Sequence, residues 1–279
     1  MTAMTASSLA TLASRLVAPV LEAGAVEMRY YETGVAVEAK ADQSPVTVAD
    51  REAEEILLSA LAQVAPSIPV IAEEAVSDGR LPQIADTFFL VDPLDGTREF
   101  INKRGEFTVN VALIEQGVPV LGLVYAPAIG ELYATLGPGR AGFACIGNAA
   151  TGPATADCRF TEIRVRAPDT QRGLVAVASR SHMTPETEAY LARYVIAERR
   201  DSGSSLKFCA VARGDADIYP RLGPTMEWDI AAGHAVLSAA GGSVTTPDGA
   251  PLRYGKTESG FRNGHFVAWG APGPIAPSA

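Results

Sequence analysis

The tightest constraint on this chain is one stretch. Thr87-Phe88-Phe89-Leu90-Val91 runs directly into Asp92-Pro93-Leu94-Asp95-Gly96-Thr97. An apolar run of this length, rich in aromatic and β-branched residues, reads as a buried strand. A carboxylate at the end of such a strand costs free energy unless it is paired or ligated. Pro93 cannot donate to a ladder, so the strand must change character there. Carboxylates at a strand exit are placed to hold a hard cation. Amides just after Asp95, at a turn into a helix, are placed to hold an anion. A cation site beside an anion site points to a metal-bound phosphate.

The flanking sequence predicts helices and strands on both sides. Leu9, Leu12, Leu16 and Val20 fall near helical spacing and predict a helix over 9–31, with Gly34 as its stop. Asp42-Gln43-Ser44-Pro45 reads as a loop. Ala53, Ile56, Leu57, Ala60, Leu61 and Val64 mark a second helix, with Thr47 as its N-cap and Asp50 completing a capping box. Residues 68–71 form a short strand that delivers Glu73 and Glu74. Two strands over 107–114 and 118–125, joined by a Glu-Gln-Gly turn, read as antiparallel neighbours, and 131–135 and 141–146 extend the sheet. The Ala-, Thr-, Gly- and Pro-rich segment 148–157 is the expected connection between two lobes, 1–147 and 148–279. The second lobe is expected to hold strands at 163–166, 174–178, 216–219 and 266–269. Its expected helices span 185–197, 204–212 and 229–240. The pattern is one of α/β or α+β layers.

Composition excludes several classes. A net charge of −9 argues against a nucleic-acid polymer as partner, which calls for a basic stripe. It also makes an anionic substrate awkward unless metals or local cations offset the field. No run approaches the ~20 consecutive apolar residues of a membrane span, and no signal peptide is evident at Met1–Ser8. Cys145, Cys158 and Cys209 are too few and too scattered for a disulfide framework or a zinc site. A cytoplasmic location is the simplest expectation, with peripheral contact to the membrane face left open.

The acids that can do chemistry are Asp50, Glu73, Asp92, Asp95 and Asp229. Each lies at the end of an element, where a scaffold presents functional groups. Taken singly, Asp50 and Asp229 are accounted for as helix caps, Glu73 and Glu74 as a solvated pair, and Asp95-Gly96 as a turn. Together, Glu73-Glu74, then Asp92 to Thr97, then Trp228-Asp229-Ile230-Ala231-Ala232-Gly233 form an ordered set of motifs. In this set the chain resembles the lithium-sensitive, magnesium-dependent phosphatase superfamily that includes the inositol monophosphatases. Arg98-Glu99-Phe100, Gly105 to Asn110, Gly203 to Cys209, Tyr219-Pro220-Arg221 and Gly223-Pro224-Thr225 look like the bacterial 3'(2'),5'-bisphosphate nucleotidase branch. The chain departs from the pattern at Ala72 and Ile230 and in the length of 148–159.

The resemblance implies an α+β fold, a layered αβαβα sandwich. It implies Mg²⁺ as cofactor, two ions with room for a third. Glu73, Asp92 and the Leu94 carbonyl would hold the first, and Asp92, Asp95 and Asp229 the second. Two such ions at roughly 3.5–4 Å can clamp both oxygens of an in-line displacement. Asp50 and Thr97 would orient and deprotonate the attacking water, with Glu73 contributing through the metal. Leu94, Asp95, Gly96, Thr97 and Asp229 would contact the phosphate end. Ser205, Lys207 and Arg221 would bind ribose or the second phosphate; Arg suits bidentate phosphate contacts, and Lys acts as a point charge. The expected reaction converts adenosine 3',5'-bisphosphate to AMP and phosphate. Alternatives are an inositol or other sugar phosphatase, and a regulatory partner protein that retains the fold. A homodimer is compatible with the sequence.

Overall fold

Two long helices and a strand meander dominate the first half of the chain. The computed structural model describes residues 4–39, 45–146, 158–169, 171–179 and 183–277. In chain order the first half runs α1 (Ala6–Thr33), β1 (Val37–Ala39), β2 (Pro45–Thr47), α2 (Val48–Val64), β3 (Val70–Ala72), α3 (Glu73–Ser77), β4 (Thr87–Asp95), α4 (Thr97–Ile101), β5 (Thr108–Glu115), β6 (Val118–Ala126), β7 (Glu131–Gly137) and β8 (Arg140–Cys145). The second half runs β9 (Thr161–Ile163), β10 (Leu174–Ser179), α5 (Pro185–Leu191), β11 (Ile196–Ser202), α6 (Leu206–Ala212), β12 (Ile218–Arg221), β13 (Thr225–Met226), α7 (Glu227–Ala239), β14 (Ser243–Thr245), β15 (Arg262–Asn263) and β16 (Phe266–Trp269).

Strands β3 to β9 form a seven-stranded sheet in sequence order. The β3–β4 pair is parallel and every later pair antiparallel. A second sheet of five strands has the order β11-β10-β12-β16-β14. Period-two alternation sorts β4 between two cores. Phe89 and Val91 pack with Leu16, Val20, Leu57 and Leu61 of α1 and α2. Phe88 and Leu90 pack on the opposite side with Phe208 of α6 and Ile230 and Val236 of α7. The far face of the second sheet (Ala176, Ile218, Trp269) packs against Tyr190 and Leu191 of α5. The layer order is therefore helix, sheet, helix, sheet, helix, which is the αβαβα sandwich expected.

The central helix layer requires close approach. A Cβ added at Gly233 of α7 would lie 2.7 Å from Phe208 of α6. In the Trp-Asp-x-Ala-Ala-Gly motif, then, the buried small residues serve packing. By length and mean composition alone the α1 helix could cross a membrane, yet half of the relevant window is buried in the protein.

Three element expectations need correction. The helix predicted over 185–197 stops at Leu191, and Ile196–Ser202 is an edge strand parallel to β10. Its Ala197 to Asp201 are exposed, so it lacks the apolar alternation that marks a strand. The strand predicted over 163–166 is Thr161–Ile163, set by pairing with β8. Helix α7 begins at Glu227 rather than Asp229, because the β13–β15 pair leads straight into it. The predicted loop residues Asp42, Gln43 and Ser44 and the predicted connection 148–157 lie outside the described residues.

Candidate active site

The decisive local geometry is a bulge in β4. Asp92 pairs with Asn110 and Asp95 with Thr108, so two residues, Pro93 and Leu94, face one on β5. Side chains three apart on a regular strand point to opposite faces. The extra residue cancels that offset, and Asp92 and Asp95 both line one cleft of about 250 Å³. The Asp92 Oδ1 accepts the Leu94 N–H at 3.0 Å, which fixes the bulge. Gly96 then turns the chain at φ +97 into α4, a conformation that favours glycine.

Other elements bring acids to the same cleft. Glu73 opens α3 at the exit of β3. Both oxygens of buried Glu54 accept from the Glu74 and Ala75 amides at 2.8 Å, so α2 holds the start of α3 in place. Burial pushes the Glu54 carboxyl up to about 7. Asp229 lies in the first turn of α7, where its Oδ2 accepts from the Thr225 hydroxyl at 2.5 Å and the Met226 N–H at 2.9 Å. Glu73, Asp92 and Asp229 each offer an oxygen, and these atoms lie within 4.8 Å of one another. Burial, then the charge of Asp229, pushes Asp95 up to about 6.

Asp50 stands behind the cleft. Its Oδ2 accepts from the Thr47 N–H at 2.8 Å and the Thr47 hydroxyl at 2.7 Å, the predicted capping box. The Thr97 hydroxyl lies 3.4 Å from its Oδ1 and 3.3 Å from the Leu94 carbonyl. Thus Thr97, which lines the cleft, connects it to Asp50.

The proposed nucleotide-end residues divide. Arg221 lines the cleft; one guanidinium nitrogen donates to the Pro224 carbonyl at 3.0 Å, and its buried Nε has no protein partner. Lys207 also lines the cleft, but its ammonium donates to the Ser204 carbonyl at 2.6 Å and the Ser202 carbonyl at 3.2 Å. Burial pushes Lys207 down to about 8. The Ser205 hydroxyl donates at 2.7 Å to the Asp229 carbonyl and so fixes the head of α7. Ser204, rather than Ser205, joins the cleft wall. His182, a loop residue in the sequence, lies outside the described residues.

A family model, the inositol monophosphatase family, matches residues 8–268. The chain belongs to the inositol monophosphatase family. Relatives include the 3'(2'),5'-bisphosphate nucleotidase CysQ of Shigella flexneri, 43% identical over 83% of this chain and 88% of its own. The protein of the same name from Salmonella typhimurium is 43% identical over 86% and 94%. Among solved structures, CysQ from Bacteroides thetaiotaomicron superposes with a TM-score of 0.73 at 39% identity, covering 94% of this chain and 97% of that one. An inositol monophosphatase from Anabaena superposes with a TM-score of 0.67 at 26% identity, over 94% and 91%.

Inositol monophosphatase family members are generally metal-dependent, and the donor set here agrees with that. Every converging group is an oxygen ligand, which suits a hard cation and not a thiolate-seeking one. Three carboxylates this close are mutually repulsive unless positive charge lies among them. The sequence motifs led to the carboxylates; Ser204 and Glu54 were missed, Ser204 although it lies inside a motif already singled out. Glu54 carried a signal in principle, as an acid on the buried face of α2.

Proposed function

We propose that the chain is a Mg²⁺-dependent 3'(2'),5'-bisphosphate nucleotidase that converts adenosine 3',5'-bisphosphate to AMP and phosphate in the cytoplasm. The observation that carries this reading is the convergence of Glu73, Asp92 and Asp229 within 4.8 Å in a cleft that Arg221 also lines. The names of the bacterial relatives support the choice of substrate. Glu73, Asp92 and the Leu94 carbonyl are assigned to one Mg²⁺, and Asp92, Asp95 and Asp229 to a second. Bound there, Mg²⁺ supplies charge that stabilises phosphate oxygens and makes water a stronger nucleophile.

The chain's own groups divide the remaining work. The Gly96 and Thr97 amides, at the turn into α4, are assigned to the anion. The Thr97 hydroxyl has one proton to donate. Donating it to Asp50 leaves its lone pairs to accept from the attacking water, so the pair orients that water and draws its proton inward. Arg221, with an unpartnered Nε, takes the second phosphate. Lys207 contributes charge while holding two carbonyls, and Ser205 acts through the position of Asp229.

Steady-state kcat/KM with Mg²⁺ on adenosine 3',5'-bisphosphate, inositol 1-phosphate and fructose 1,6-bisphosphate tests the assignment. The expected result is a preference for the nucleotide of at least tenfold. Equal or better turnover of inositol phosphate would overturn the nucleotidase reading.

A further inference from the structure

Ser204 is the point at which the second half of the chain touches the turn carrying Asp95. Its hydroxyl donates to Asp95 Oδ2 at 2.6 Å and is also hydrogen-bonded to the Thr108 hydroxyl. Thr108 is fully buried and sits opposite Asp95 in the β4–β5 register. Each hydroxyl carries one proton, so with Ser204 donating to the carboxylate the proton between the two hydroxyls is that of Thr108, given to Ser204 in preference to Asn110 Oδ1, which lies 3.3 Å away.

The backbone of Ser204 is held as firmly as its side chain. Its carbonyl takes the shorter of the two bonds from the Lys207 ammonium, a charge buried to 2% exposure. Ser204 also adopts φ +51, in the left-handed region, although Gly203 stands beside it. A side chain is disfavoured there, and this one is retained with its hydroxyl on Asp95. Glu73, Asp92 and Asp229 meet within 4.8 Å of one another, and the Asp95 carboxylate, in the same cleft, is held by the Ser204 hydroxyl.

We propose that Ser204 is a positioning residue for Asp95: by holding one carboxylate oxygen it sets the direction in which the other faces the cation, with Thr108 and Lys207 holding Ser204. The role rests on the assignment of Asp95 as a metal ligand. Partners of this kind, one step removed from a metal, typically contribute 10–100-fold to affinity.

The test is calorimetric titration of the full chain, freed of divalent ions by chelation, with Mg²⁺ alone. Ser204→Ala is expected to weaken the Asp95-dependent binding by roughly 10–100-fold, and to raise the Mg²⁺ concentration for half-maximal activity while saturating Mg²⁺ largely restores kcat. Ser204→Gly, which removes the hydroxyl and also relieves the backbone, is expected to behave alike and covers the case in which the alanine variant fails to fold. In an Asp95→Asn background, Ser204→Ala should add nothing. If Asp95→Asn weakens binding and the Ser204 variants do not, the positioning role is overturned while the ligand assignment stands. An additive effect of the two substitutions also overturns it. If Asp95→Asn leaves Mg²⁺ binding unchanged, the ligand assignment itself falls, and the proposal with it.

Discussion

At the scale of single residues, Asp50 and Thr97 show how two ordinary local roles combine into the pair proposed to handle the proton of the attacking water. Asp50 closes a capping box and Thr97 opens a helix, yet they meet across 47 positions of sequence. Thr97→Val should lower kcat by about 10²–10⁴, the usual worth of general acid–base assistance, with KM changed only a few-fold. Asp50→Asn keeps an acceptor for the Thr47 cap and should show a similar loss. The double variant should lose little more, because the two act as one unit; steady-state kinetics at saturating Mg²⁺ checks all three. Asp92 stood out in the sequence because an acid at the end of an apolar strand demands an explanation, whereas Glu73, Asp95 and Asp229 were reached only through the family motifs. The hydroxyls were not legible: Ser204 and Ser205 are chemically identical neighbours, and only the backbone decides that Ser204 faces Asp95 while Ser205 faces the Asp229 carbonyl.

Among the elements, α7 links packing to the site. Its first turn carries Asp229, and one turn along Gly233 lets α6 approach. Gly233→Ala places a methyl 2.7 Å from Phe208, which is buried to 1% exposure and stacked on Phe266. Overpacking of this kind costs about 1–3 kcal/mol. Thermal denaturation should therefore show a fall in Tm of several degrees, and kcat should drop as the head of α7 shifts. Strands buried on both faces were readable because their composition is nearly all apolar. The edge strand β11 was not, since Glu-Arg-Arg-Asp satisfies the charge that protects an exposed edge and leaves no periodic signal.

Over the whole molecule, the layers explain why the site needs both halves of the chain. Glu73, Asp92 and Asp95 come from the ends of the first sheet, Arg221 from the second, and Asp229 from the helix layer between them. The same central layer holds a pH-sensitive contact. His234 on α7 is buried, its Nδ1 lies 2.9 Å from the Tyr254 hydroxyl, and burial pushes its pKa down from 6.5 to about 3. The folded value lies below the unfolded one, so in that window the unfolded chain binds the extra proton. Stability from this group is complete above the unfolded value and is lost as pH falls toward the folded one. Between pH 6.5 and 4.5 the loss is about 2 kcal/mol. Urea denaturation of His234→Gln should show a shallower decline across this range than the parent protein. The order of layers was implied by family likeness; which face of each strand meets which helix was settled by the pleat.

The bulge at Pro93 and Leu94 has a consequence for how such sites are counted along a chain. Two acids separated by one residue would share a face of a flat strand without any irregularity, and would present side chains alone. Separation by two residues has the wrong parity, and restoring it forces one residue out of the ladder. That displaced residue, Leu94, lines the cleft and sets its main-chain carbonyl 3.3 Å from the Thr97 hydroxyl, which lines it too. The odd spacing thus gives a strand end the mixed side-chain and main-chain oxygens that the proposed first cation site uses, and a one-residue deletion between Asp92 and Asp95 would keep the parity while removing the carbonyl.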